Sequence, residues 1–457
     1  MKIIRNFLIW ICILLVSPVF ADINELRIPE SSSIRKSIAD SWFYSDLKDL
    51  RYKRAELRVN SVGEKFQIRL EESSETYAII VAPEVLVEVD LYTESGVEQR
   101  VVSEFPYNEK GSWILIKNAE TQKIESIKIY FTENKDVYVQ FSPNGNKILA
   151  DYIIDGLYAA KGVPIGIPFN RLYTISFEEV LSLTKKSLPW NYSVIFPGQY
   201  DSKLQMIGVI RKNLSRIAYA DDACYDENGK PIYISDGSSR TVYKTETENN
   251  ILTLSSAGFL KWIADGLVES FVGGGIYREP LLRKTVTPNP LSLAGVLSET
   301  EDLYFPLDWT RNLAAACLSL RTQKKYLWEN AGVDVTVEPF ASEISSSGST
   351  QTIGYLKDSG YEISKLKPLL YVLGVTEPTY CYFAAIRRPI KNSVGKPEYY
   401  KFDQCAVIFP YFDKNKKFSC VIFENGTELT LNSFINKNKG CFVHLTRILS
   451  NEKFFPQ

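Results

Sequence analysis

Between Tyr52 and Phe141 apolar residues recur at every second position. Phe66, Ile68 and Leu70 alternate with Lys65, Gln67 and Arg69; Val85, Val87, Val89 and Leu91 alternate with Glu84, Glu88 and Asp90. Ile127, Ile129 and Phe131, then Val137, Val139 and Phe141, repeat the pattern. A period of two marks strands with one buried face. Asn108-Glu109-Lys110-Gly111 and Pro143-Asn144-Gly145 supply the turns between them. Several short alternating strands predict a β-sandwich, in a domain spanning residues 22–150. Residues 151–200 read as a linker carrying one helix. Ser176-Phe177-Glu178-Glu179 is a capping box, Val180, Leu181 and Leu183 form an apolar stripe, and Pro189 follows the helix.

After residue 201 the period lengthens. Leu204, Ile207, Ile210, Leu214 and Ile217 give a helical stripe, and an acidic turn follows at Asp221–Asn228. A short apolar run, Ile251, Leu252 and Leu254, leads into Ser255-Ser256-Ala257-Gly258-Phe259. Phe259, Trp262, Ile263 and Leu267 then stand at i, i+3, i+4 and i+8, which predicts a helix beginning at the serines. A second helix is expected from about Leu307, with Asp308 as its cap. Four apolar strands close the chain at residues 379–386, 404–412, 418–424 and 441–448, with Asp413–Lys416 turning the middle two into a hairpin.

The stretch Ser255-Ser256-Ala257-Gly258-Phe259 resembles the Asp-Cys-Ser-Gly-Phe that opens the nucleophile helix of the NlpC-type cell-wall peptidases, a papain-like family. Gly258 and Phe259 coincide, Ser255 stands at the Asp, and Ser256 at the nucleophilic Cys. The resemblance implies an α+β architecture in which the N-terminal β-sandwich is followed by an NlpC-like α+β domain with a large insertion, residues 201–457. It also implies a general-base histidine after the nucleophile. His444 is the chain's one histidine and satisfies that order, but the family's usual place for it, opening the first strand of a hairpin, falls on Gln404 or Cys405. The candidate catalytic residues are therefore Ser256 and His444, and the inherited groove would be marked by Ser255, Gly258, Gln404 and Cys405.

Chemistry bears on this. A helix N-terminus favours a nucleophile's anion, yet a serine hydroxyl is far too weak an acid to ionise there near pH 7 without a positioned base. The leading expectation is a non-catalytic domain that binds peptidoglycan peptides or an envelope protein partner. Two alternatives stand beside it: a cell-wall or peptide hydrolase using Ser256 with His444, and a structural scaffold of the envelope.

Composition narrows the rest. The 457 residues are 45% hydrophobic and 13% aromatic, with 27 Tyr and 24 Phe against 2 Met, a strand-rich balance. Residues 1–21 read as a secretory signal: Lys2 and Arg5, an apolar core over Phe7–Val16, and Val19-Phe20-Ala21 for cleavage. Export to the periplasm or the extracellular space follows, with no membrane span after cleavage. The net charge of −1 becomes −3 once that segment is removed, with no basic stripe for nucleic acid. One histidine and no CxxC pair leave no zinc site, and no cofactor is expected. Gly273-Gly274-Gly275 lacks the rest of a phosphate loop, Ser182-Leu183-Thr184-Lys185 lacks the partner motifs of S-x-x-K acyl-enzymes, and the acidic turn lacks EF-hand spacing. Cys224, Cys317, Cys381, Cys405, Cys420 and Cys441 are expected as buried thiols with at most one cross-strand bridge.

Overall fold

A computed structural model describes residues 26–456 except 94–95, 146, 345–349 and 352–353. The expected signal segment, residues 1–21, lies outside these. Helix makes up 30% and strand 33%, so the chain is mixed α/β with large antiparallel sheets. Among the described residues no helix is long and apolar enough to cross a membrane.

The first lobe is built on ten strands: β1 Glu56–Val59, β2 Lys65–Glu72, β3 Thr76–Pro83, β4 Val85–Thr93, β5 Gly96–Glu104, β6 Trp113–Asn118, β7 Ile124–Ile129, β8 Val137–Asn144, β9 Lys147–Ile154 and β10 Leu157–Ile165. Eight of them form one sheet in the order β1-β2-β3-β6-β7-β8-β9-β10, and β4 and β5 leave it as a separate hairpin. The alternation is as the sequence reads: Phe66, Ile68, Ile79, Val81, Trp113, Leu115, Ile127, Ile129, Val139 and Tyr152 bury one face. Among the described residues the strands of this lobe form this one large sheet and the hairpin, and the finer expectation of two facing sheets is not confirmed. The buried face is covered instead by helices and turns in the same core: α1 Ser32–Ile38, a π-helical turn Ala39–Phe43, α2 Leu47–Leu50, α3 Phe177–Thr184 and Trp190. A strand with one apolar side reads identically under a second sheet or under helices, which is why the pattern could not separate them.

The expected linker therefore belongs to this lobe. β9 and β10 carry the sheet to Ile165, and α3, capped by Ser176 accepting the Glu179 amide at 3.1 Å, seats Phe177 and Val180 in the core. Arg35 ties the layers together. Its guanidinium donates to Ser31 Oγ and to the carbonyls of Leu172, Tyr173 and Ile175, and it lies between the Trp113 and Phe177 rings. Burial pushes its pKa down to about 10, with Glu30 opposing.

The second lobe opens with α4 Asp201–Asn213 and the short strands β11 Ile217–Tyr219, β12 Ala223–Tyr225 and β13 Pro231–Tyr233. Next come α5 Lys244–Glu248, β14 Leu252–Leu254, α6 Ser256–Val272, α7 Leu293–Leu297, α8 Phe305–Thr322 and α9 Trp328–Ala331. A small hairpin of β15 Glu343–Ile344 and β16 Thr350–Gln351 precedes β17 Tyr361–Glu362 and α10 Leu366–Thr376. The chain ends in β18 Tyr380–Lys391, β19 Pro397–Phe412, β20 Phe418–Glu424, β21 Thr427–Thr430, α11 Leu431–Lys437 and β22 Phe442–Leu449. A six-stranded antiparallel sheet, β17-β22-β18-β19-β20-β21, is the lobe's centre. Cys405, Val407 and Phe423 face α6 and α8, while Ala406, Ile408 and Ile422 face α10 and α11. Burial on both faces explains the continuous apolar runs. The expected hairpin is present, with Phe412 opposite Phe418. The six cysteines among the described residues are all free thiols.

The lobes are packed together. Tyr371, Val372 and Phe412 enter the first lobe's core, Tyr371 Oη donates to the Tyr192 carbonyl at 3.1 Å, and Asn134 bridges to Lys416 and Phe418.

Candidate functional site

Ser255 starts α6. Its Oγ accepts the Gly258 amide at 3.1 Å and donates to the Ala223 carbonyl at 3.0 Å, while its own amide donates to the same carbonyl at 2.9 Å. The helix end is thereby pressed against β12. Gly258 is required there, because a Cβ would stand 2.2 Å from the Ala223 oxygen. Gly258→Ala must lift α6 off β12 and is expected to cost about 2 kcal/mol, the scale of overpacking a tight contact; a thermal melt equal to the parent's would refute that.

Ser256 occupies the first turn of α6, half-buried, where the helix dipole is positive. The Cys405 thiol on β19 is close enough to feel this hydroxyl. Burial pushes that thiol's pKa strongly up, and Asp403 and Glu424 add to the effect, against a smaller pull from Ser256. A neutral thiol facing a neutral hydroxyl provides neither a nucleophile nor a base. Gln404 points to the sheet's other side: it pairs with Ile386, while Cys405 pairs with Ala385. Between the two expected occupants of the imidazole's place, Cys405 is the one beside Ser256.

His444 and Ser256 are not brought together. Ala385 of β18 stands between Cys405 of β19 and His444 of β22, so the three share one face and His444 lies two strand spacings, about 10 Å, from Cys405. His444 Nδ1 has no partner, and Nε2 faces Asp334 Oδ2 at 3.4 Å, Tyr355 Oη at 3.3 Å and Arg311 at 3.5 Å. The two candidates therefore have different neighbours, Cys405 for Ser256 and Asp334, Tyr355 and Arg311 for His444. Arg311 from α8 is the centre of that group. It holds Asp334 through Nε and Nη2, the latter at 2.7 Å, and Asp358 at 2.9 Å, and stacks on Trp328 at 4.3 Å. Burial would raise the Asp334 pKa, but His444 and Arg311 outweigh it and hold the carboxyl at about 2.

Burial holds the His444 imidazole below its usual range despite Asp334. An unfolded chain would protonate it first as pH falls through about 6.5, so folding stability should drop with acid from there down to the lower folded value. Asp334, depressed in the fold, keeps its contribution above about pH 4 and loses it towards pH 2. Because the chain has one histidine, His444→Gln should flatten the part of the urea-midpoint profile between pH 5 and 7. A parental slope there would reject the assignment.

A cleft of about 610 Å³ opens beside the N-terminus of α8, among Asp222, Lys284, Asp302, Asp308, Lys401 and Asp403. The sequence singles out Asp308 as a cap and Asp222 in the acidic turn, but only the fold gathers them with Lys284, Asp302, Lys401 and Asp403. Asp308, expected as a cap, lies inside the first turn of α8; Tyr304 is the cap position, and Asp308 instead accepts from Thr285. Among the described residues no group of three or more His, Cys, Asp or Glu could hold a metal ion.

Residues 24–192 match a family model described as Domain of unknown function (DUF8515). That range coincides with the first lobe, from the covering helices to Tyr192, and stops before α4. No match was found among curated proteins or among solved structures.

Proposed function

We propose that the chain is an exported envelope protein whose second lobe is a papain-like, NlpC-type domain that binds peptidoglycan peptides without cutting them. The carrying observation is Ser256 against Cys405: a helix N-terminus on an antiparallel sheet, with a hydroxyl where a thiolate would stand and a thiol where an imidazole would stand. The capped start of α6 and the close approach at Gly258 are packing features that persist whether or not chemistry does. The cleft at the start of α8 is open and lined by both carboxylates and lysines, which suits a zwitterionic peptide. An open cleft speaks against a purely structural scaffold, and the separation of His444 from Ser256 speaks against the serine hydrolase. A protein partner occupying the same cleft is the second form of the reading.

The test mixes the purified chain with peptidoglycan sacculi and scores co-sedimentation together with released muropeptides, alongside Ser256→Ala. Co-sedimentation without products, unchanged in Ser256→Ala, is expected. Products that vanish in Ser256→Ala would establish a serine hydrolase, and absence of both would turn the reading towards a protein partner.

A further inference from the structure

β4 and β5 form an arm outside the main sheet, and among the described residues they pair only with each other. Their ladder runs without a bulge from Val85 opposite Glu104 to Thr93 opposite Gly96. The arm is tied at its base, where Ser103 donates to Glu84 and Glu84 also pairs with Lys65. Beyond that β5 is exposed along almost its whole length, with Val97 at 58% and Val101 at 55%. A two-stranded ribbon is marginal in water by itself. An edge with no Pro, Lys or bulge to guard it is a template for another strand, and β5 has none of the three.

We propose that β5 is the contact between two copies of this chain, pairing antiparallel with itself about Gln99. Backbone direction limits the registers. Two residues separate Thr93 from Gly96, so these two exchange hydrogen bonds across the ribbon, as do Leu91 with Glu98 and Val89 with Arg100. The backbone groups of Val97, Gln99 and Val101 therefore face outward, and only registers that oppose such residues can pair. Charge then selects among them. Pairing about Glu98 or about Arg100 sets that residue against itself, and pairing about Val101 sets Glu98 against Glu104. Pairing about Gln99 sets Glu98 against the second copy's Arg100, and Val97 against its Val101. Symmetry repeats both contacts, with about six backbone hydrogen bonds between the strands. Both charges are exposed, and neither takes part in an ion pair among the described residues. Val89 and Leu91 stand beside them on the ribbon. The arm's other edge does not match itself in this way: the charges of β4 are Glu88 and Asp90, so two such edges in central register oppose acid with acid. A contact of β5 with β5 uses the same surface on both copies and closes as a dimer.

This pairing is independent of what the second lobe binds. The edge is short, at the small end of specific interfaces, so dimers of the purified chain are expected to form at about 10–100 µM in sedimentation equilibrium. Arg100→Glu and Glu98→Arg each create like-charge pairs at both contacts and are expected to weaken the dimer at least about tenfold. Mixing these two variants restores opposite charges at both contacts, as does the double variant carrying both changes, and each is expected to associate as the parent does. Gln99→Pro removes an outward amide at the centre without touching the bonds to β4, and is expected to leave a monomer. The substituted side chains are exposed, and an unchanged thermal melt checks that each variant is folded. A parent chain that stays monomeric at these concentrations overturns the proposal. A dimer that survives the single charge reversals or Gln99→Pro also overturns it, as do reversals that neither mixing nor the double variant rescues.

Discussion

Arg311→Met is expected to lower the stability of the second lobe by about 3–5 kcal/mol, the cost of breaking a buried ion pair by removing one partner. Arg311 is 1% exposed and serves two carboxylates at once, Asp334 and Asp358, with Thr285 and the Trp328 ring completing its surroundings. Without it two half-buried acids are left beside a histidine that burial keeps from protonating readily. Arg311→Lys should lose less than Met but remain well below the parent, because an ammonium cannot reproduce the forked contacts. The control is Arg211→Ala, which removes a half-exposed partner of Glu428 and should cost no more than about 1 kcal/mol. Urea denaturation followed by tryptophan fluorescence reads both. Similar midpoints for Arg311→Met and Arg211→Ala would show that the buried cluster does not hold the lobe.

Tyr371→Ala is expected to cost about 3–5 kcal/mol, as for other large aromatic truncations in cores, and to loosen the lobes from each other. Tyr371 lies on α10 of the second lobe yet is buried in the first lobe's core, with Phe412 at 5.1 Å and Phe418 at 5.6 Å between ring centroids. Its hydroxyl reaches the Tyr192 carbonyl, so truncation also leaves that acceptor unmatched. Calorimetry should show one transition in the parent chain splitting into two in Tyr371→Ala. A single transition shifted only slightly would mean that the remaining contacts, Asn134 with Lys416 and Phe418, and Tyr200 with Gly374, are enough to couple the lobes.

Local signals were the readable ones. The Ser176–Glu179 box, the start of α6 at the serines and the β19–β20 hairpin depend on neighbours within a few residues, and each appears where its pattern stands. What covers the first sheet was not readable, because alternation at Ile127 and Ile129 reports a buried face and not the identity of its cover. The extension of that sheet through β9 and β10 was missed for a related reason: Lys147–Ile154 is buried at five of its eight positions, so its alternation is blurred. At the site, Ser256 and Cys405 could be named from the helix start and the strand pattern. The partners of His444 could not. Asp334 and Asp358 reach Arg311 across 23 and 47 residues, and no periodicity announces such a pairing.

On the proposed reading the N-terminus of α6 carries no activated nucleophile. Incubating the chain with a fluorophosphonate, which phosphonylates serines that a base has activated and releases fluoride, and reading the intact mass tests this directly. An unchanged mass, for the parent and for Ser256→Ala alike, is the predicted result. A single adduct that maps to Ser256 and disappears in Ser256→Ala would contradict the claim, and it would show that a base other than His444, or a rearranged His444, reaches the hydroxyl.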